Sequence, residues 1–335
     1  MRRFAVGMAI TLTSAGLLAW RINWQTTLDT LKAAHPPFIA LAVTALVFSL
    51  GAKAVRWRLL LPASSPVTTP RLYRILHISF FLNNVLPARL GDVARVAMTS
   101  RQPGLRFGHV LSSMMTERVT DTVTLVAGFL IVSPFLPVPD AYRPWLETAW
   151  AVVAAVAAVA LAATLMRRPL ARLGRHPRLA RLLPGNRRVQ EEAVSFREGW
   201  RQLFSRQHVI RIWGWSWLAW SAAFAINYLL LRALDIHAPL TVAVLLTCTT
   251  NLAMLLPSSP GYVGVFHAAA TLSLLPFDVG PGRALSFAIL AHLVNVVPVS
   301  VLGAAFLLWG RESLSFNFSA LRRSPPETAA VLGES

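Results

Sequence analysis

Apolar residues fill long, nearly uninterrupted runs at about 4–20, 37–55, 119–138, 148–166, 212–234 and 284–309. Each run is close to the ~20 residues an α-helix needs to cross a hydrocarbon core. Two further apolar regions, 72–100 and 241–276, are broken in the middle, around Leu86-Pro87 and Leu256-Pro257. The first break reads NNVLPARLGDV over residues 83–93. Proline removes a backbone donor and crowds the preceding turn, while glycine admits unusual backbone angles. Backbone groups freed in this way cannot face lipid, so such a break is buried in protein or lines a wet cavity.

Composition supports a membrane reading. Of 335 residues, 55% are hydrophobic and 14% charged, against about 25% charged in soluble domains. The formal charge of +18 comes from 32 Lys+Arg set against 14 Asp+Glu, nearly all of the basic residues being Arg. Because these arginines lie between apolar runs, cytoplasmic loops on anionic headgroups explain them better than nucleic acid does. A single cysteine, Cys248, excludes an intramolecular disulfide and any cysteine-based metal cluster.

Positive charge also orients the chain. Arg2 and Arg3 place the N-terminus inside, and the run 4–20 reads as a retained first span. Arginines flank both sides of 72–100: Arg71 and Arg74 before the break, Arg95, Arg101 and Arg106 after it. The simplest reconciliation is a hairpin that enters and leaves by the cytoplasmic face. The 167–211 stretch, with twelve Arg against three acidic residues, is a cytoplasmic loop; within it Gln190–Leu203 reads as an amphipathic surface helix. The 241–276 region has no charged residue, and the topology closes if it enters and leaves from outside.

The expected fold is therefore all-α: a polytopic integral membrane protein with about six full spans and two broken re-entrant hairpins. The transmembrane domain covers 1–310, in inverted halves of about 1–140 and 145–310, followed by a disordered tail over 311–335. Inverted repeats with broken helices are a transporter architecture. Eight or more full crossings, with each broken region forming two short spans, stay open as the alternative.

The two breaks also match each other. Leu86–Val93 and Leu256–Val263 both read L-P-x-x-x-G-x-V, with Asn83 and Asn84 before the first and Asn251 before the second. Candidate binding or gating residues are accordingly Asn83, Asn84, Pro87, Arg89, Gly91 and Asp92 at the first break. At the second they are Asn251, Pro257, Ser258, Pro260, Gly261, Gly264 and His267. Half-helix ends present partial charges to a polar ligand, and Arg89 suits a phosphate. Glu117 and Asp121 are four apart, share a helix face beside Arg118, and are expected to pair with Arg89 or Arg95. His267 and His292 lie in apolar surroundings, and no metal-binding spacing accompanies them. Trp213, Trp215, Trp217 and Trp220 read as an interfacial belt.

Taken together, three motifs resemble the lysylphosphatidylglycerol synthase transmembrane-region family, relatives of the N-terminal membrane half of the multiple peptide resistance factor. They are Asn84-x-x-Pro87-x-Arg89-x-Gly91-Asp92, Glu117-Arg118-x-x-Asp121 and Pro257-x-x-Pro260-Gly261-x-x-Gly264-x-Phe266. The resemblance covers about residues 5–310 and implies movement of a lipid between leaflets. This chain has His267 where many members carry an acidic residue. About 26 residues follow the last span, too few for the aminoacyl-transferase domain of bifunctional members.

The sequence thus leads to a flippase rather than an enzyme, moving a phospholipid, an aminoacylated lipid or an isoprenoid lipid through a cavity lined by the two broken helices, in the cell inner (plasma) membrane with both termini cytoplasmic. Its partners are membrane lipids with an anionic headgroup, and a separate lipid-modifying or envelope-biosynthesis enzyme fits beside it. No cofactor, metal or nucleic acid is expected, and no nucleotide-binding loop is present. A membrane enzyme or accessory subunit in lipid or envelope glycan biosynthesis is the other reading.

Overall fold

A computed structural model describes residues 24–86, 89–136, isolated positions within 139–154, residue 194, and residues 206–254 and 260–309. The expected first span, the fourth span beyond residue 154, nearly all of the basic loop and its surface helix, and the tail lie outside the described residues. So do Pro87, Pro257 and Ser258, as does the side chain of Pro260.

Among the described residues every regular element is helical. The helices are α1 (Trp24–Lys32), α2 (Pro36–Leu59), α3 (Thr69–Val85), α4 (Leu90–Ser100) and α5 (Phe107–Val132). After the undescribed region come α6 (Arg206–Ala233), α7 (Leu240–Ala253), α8 (Val265–Leu274) and α9 (Pro281–Trp309). Three segments are long and apolar enough to span a bilayer: Pro36–Leu60, Phe107–Phe135 and Pro281–Trp309, with mean hydropathy 2.1, 1.3 and 2.1. α6, at 28 residues, is as long but carries more polar groups. On α9 the outward stripe is Leu293, Val297, Val301 and Leu308, each 48% exposed or more. Such a face suits lipid and would be anomalous in water.

The long helices pack antiparallel around the hairpins. α2 and α6 run side by side, with Ser49 donating to the Ala219 carbonyl at 2.9 Å and the His35 amide to that of Ala233 at 2.8 Å. Both broken regions are helical hairpins. In the first, α4 folds back on α3: Ser79 Oγ donates to the Gly91 carbonyl at 2.9 Å, and Asn83 Nδ2 to Asp92 at 3.1 Å. In the second, Ser273 of α8 reaches Thr249 of α7 at 2.8 Å, which puts the 3₁₀ turn Pro260–Tyr262 at the tip.

α9 is the ruler against which both hairpins are measured. α3 lies along its C-terminal half, Tyr73 and His77 meeting Phe306 while Asn84 donates to Ser300 at 3.0 Å. α8 lies along the other half, Phe266 and His267 meeting His292. The bases of the hairpins therefore sit at opposite ends of α9, and their tips reach its middle. There they meet: a Cβ on Gly261 would lie 3.4 Å from the Asn84 carbonyl oxygen, and the Arg89 guanidinium sits over the Tyr262 ring, 5.6 Å from its centroid.

The aligned glycines do different work. Gly91 lies in the first turn of α4, where a Cβ would run into the Ser79 carbonyl oxygen, so it permits the hairpin to close. Gly261 instead takes the left-handed φ of 70° that the tip requires. The second break is also longer, since α4 starts four residues after Leu86 but α8 nine after Leu256. Gly91→Ala is expected to cost about 1–3 kcal/mol by overpacking, read as a lowered unfolding midpoint in detergent. Gly51→Ala, where nothing lies within 4 Å of the added carbon, is expected to be neutral or slightly stabilising.

Candidate functional site

A polar lattice is built around α5. Glu117 and Asp121 share one of its faces, as their spacing requires. Arg95 of α4 grips Glu117 with both terminal nitrogens, at 3.0 and 2.6 Å, while its guanidinium stacks 3.7 Å over Trp57. Trp57 in turn donates to Ser113 at 3.1 Å. Arg56 of α2, fully buried, donates to Asp121 at 2.6 Å and to Ser216 at 2.9 Å, and Trp220 donates to the same carboxylate oxygen at 2.9 Å. Arg118 reaches Asp92 at 3.2 Å. Each carboxylate thus has its own arginine, so α5 is tied to α2 and to the first hairpin by ion pairs at membrane depth, where an unmatched charge is expensive.

The expected pairing is borne out for Glu117 with Arg95 and corrected for Asp121. The Asp121 partner is Arg56, 65 residues away, and Arg89 pairs with neither carboxylate. Arg89 instead adopts a left-handed φ of 54° at the start of α4 and donates to the carbonyl of Met254. Met254 is the C-cap of α7, so Arg89 satisfies a carbonyl that the end of the helix leaves free, at the negative pole of its dipole. The tip of one hairpin caps the other.

Beside this contact lies a cavity of about 640 Å³. From the first break and α5 it is lined by Asn83, Asn84, Arg89, Asp92, Glu117, Arg118 and Asp121, and from the second break by Asn251 and Gly261. Gly91 and Gly264 are not on the wall. Gly91 is used in packing, and Gly264 is the N-cap of α8 with φ 86°. His267 is also off the wall; its ring lies 4.8 Å from that of His292, which does line the cavity.

Sequence reasoning missed Lys53, Asn227 and the role of Trp220; all three residues face the cavity. Lys53 had a signal, being the one charge inside the run 37–55. Trp220 is a correction: 4% exposed, it is no part of an interfacial belt but a ligand of Asp121 with Lys53 Nζ 4.6 Å from its ring centroid. Among the described residues neither Lys53 nor Arg89 has a carboxylate partner.

The family description "Lysylphosphatidylglycerol synthase TM region" matches residues 4–303. The chain belongs to that family. It is also 26% identical, over 339 aligned positions, to glycosyltransferase AglD of Haloferax volcanii. That match takes in 90% of this chain and 53% of the relative, so the chain spans about half the length of the curated protein it matches. As a family member it is a multi-pass membrane protein associated with lipid.

Breaking the buried Arg95–Glu117 pair by Glu117→Ala is expected to cost about 3–5 kcal/mol, because a buried guanidinium is left unmatched. The double variant Arg95→Met with Glu117→Met is expected to lose less than that single variant. Thermal unfolding of the purified variants in one detergent compares the two directly.

Proposed function

We propose that this protein carries a phosphate-bearing lipid between membrane leaflets, the headgroup crossing through the cavity while the chains stay in lipid. The observation that carries the reading is the meeting of two hairpin tips at the middle of α9, beside a cavity holding two cations without carboxylate partners. A transported headgroup needs a polar path that is sealed in the resting state, and broken helices at the midplane are how transporters build one.

The order and direction of the elements support an inverted repeat. α2 runs toward the arginine-rich end, the α3–α4 hairpin starts and finishes there, and α5 runs back. α6, the α7–α8 hairpin and α9 repeat that sequence in the opposite sense. The positive-inside rule assigns the arginine-rich end, with Arg58, Arg71, Arg74 and Arg101, to the cytoplasm of a cell inner (plasma) membrane. In this reading Arg89 and Tyr262 form the gate, and the protein is a carrier and not an enzyme. A role beside a separate transferase in envelope glycan assembly is the second reading, favoured by the likeness to AglD.

Liposomes holding the protein and headgroup-labelled lipids test the first reading. Leaflet exchange is expected to exceed that of protein-free vesicles. Joining Val85→Cys to Val263→Cys, exposed residues beside the two tips, with a cleavable bifunctional thiol reagent, in a Cys248→Ser background, is expected to stop exchange until the link is cleaved. Exchange at the protein-free rate for every lipid, or exchange indifferent to the link, overturns the carrier and leaves the accessory role.

A further inference from the structure

The two walls of the cavity differ in kind, and the difference restricts what fits between them. All the charged groups on the lining come from the first half of the chain. Three carboxylates, Asp92, Glu117 and Asp121, are each held by an arginine. Lys53 and Arg89 are left over. Lys53 has the face of Trp220 as its contact, and Arg89 has the Met254 carbonyl and the Tyr262 ring. Counting Lys53, Arg56, Arg89, Arg95 and Arg118, the lattice and cavity together carry two more cations than carboxylates. Charge at membrane depth without a counterion is costly, so an anion brought by the ligand completes this wall.

The facing wall has amides and hydroxyls and no ionised side chain. Asn227, Asn251 and Asn295 each spend their amide N–H on a protein acceptor: Thr247 Oγ1, the Thr247 carbonyl and the Ala291 carbonyl, all at 2.8 Å. Each keeps its side-chain carbonyl oxygen, an acceptor, and a second amide N–H, a donor. Three amides on α6, α7 and α9, each with an acceptor and a donor to spare and no acid among them, match neutral hydroxyls, which both donate and accept.

We propose that the ligand is a lipid whose phosphate anion sits toward Lys53 and Arg89 and whose uncharged, polyhydroxylated headgroup lays its hydroxyls on the asparagine wall. Phosphoglycerol and sugar-phosphate lipids share that chemistry. An ammonium headgroup also offers donors, but it would add positive charge to a site that already has it in excess. A cationic aminoacyl lipid is therefore disfavoured, although the family takes its description from the synthesis of one. The inference rests on the carrier reading of the same cavity, and it is tested by binding, which needs no transport.

Equilibrium binding to the purified protein in detergent is measured for five lipids: phosphatidylglycerol, a polyprenyl phosphohexose, phosphatidic acid, phosphatidylcholine and lysyl-phosphatidylglycerol. The first two are expected to bind about tenfold or more tighter than the last two, and the tighter of that pair identifies the source. Lys53→Met is expected to weaken both about tenfold, and Lys53→Arg to restore them. Asn251→Leu with Asn295→Leu is expected to bring both toward phosphatidic acid, whose own binding stays unchanged. Equal or tighter binding of phosphatidylcholine or lysyl-phosphatidylglycerol overturns the proposal, as does a Lys53→Met variant that folds and binds like the parent. Selective binding without leaflet exchange would strike the carrier reading alone, and exchange without headgroup preference would strike this inference alone.

Discussion

A helix that stops inside a bilayer leaves backbone carbonyls or amides without partners, and hydrocarbon supplies none. Two such stops occur in each hairpin here, and much of the architecture follows from satisfying them. The tips turn toward one another at the middle of α9, where Arg89 donates to the last carbonyl region of α7 and Gly261 packs against the Asn84 carbonyl. Left-handed backbone at Arg89 and Tyr262, unusual for residues with side chains, is held where the two turns face each other. Were either tip withdrawn, the other would lose part of what makes it tolerable at that depth.

Charge is managed by the same logic at one remove. Arg56 and Arg95 are almost entirely buried and are answered by Asp121 and Glu117, so they bind helices together. Lys53 and Arg89 face the cavity without such an answer. The distinction separates charges that hold the fold from charges available to a ligand, although all four lie in apolar surroundings. α5 is central because one of its faces carries both carboxylates: Glu117 fixes the first hairpin through Arg95, and Asp121 fixes α2 through Arg56.

The breaks themselves were legible in the sequence, because proline, glycine and charge interrupt apolar runs that otherwise have the length of a span. The helices found over 36–59, 206–233 and 281–309 lie where such runs lie, whereas the helix over 107–132 starts twelve residues before its run at 119–138. What local sequence could not carry was which element each polar group would meet. Asp121 and Arg56 are 65 positions apart and Arg89 and Met254 165, and their pairing depends on how long helices stack. Trp220 was misread because its tryptophan neighbours suggested an interface, whereas a buried carboxylate claims its N–H. The shared L-P-x-x-x-G-x-V pattern marked the right two places yet aligned glycines with unlike tasks, because the turn between helices is seven residues longer in the second hairpin.

In the proposed carrier the hairpins enter from opposite faces and meet at mid-membrane. Spin labels at Val85 and Val263, exposed residues beside the two tips, measure this directly. Their depth is read from the relative accessibility to oxygen and to a water-soluble nickel complex in reconstituted vesicles. Both labels are expected at similar depth near the bilayer centre. Headgroup-level depths for the two labels would contradict the account.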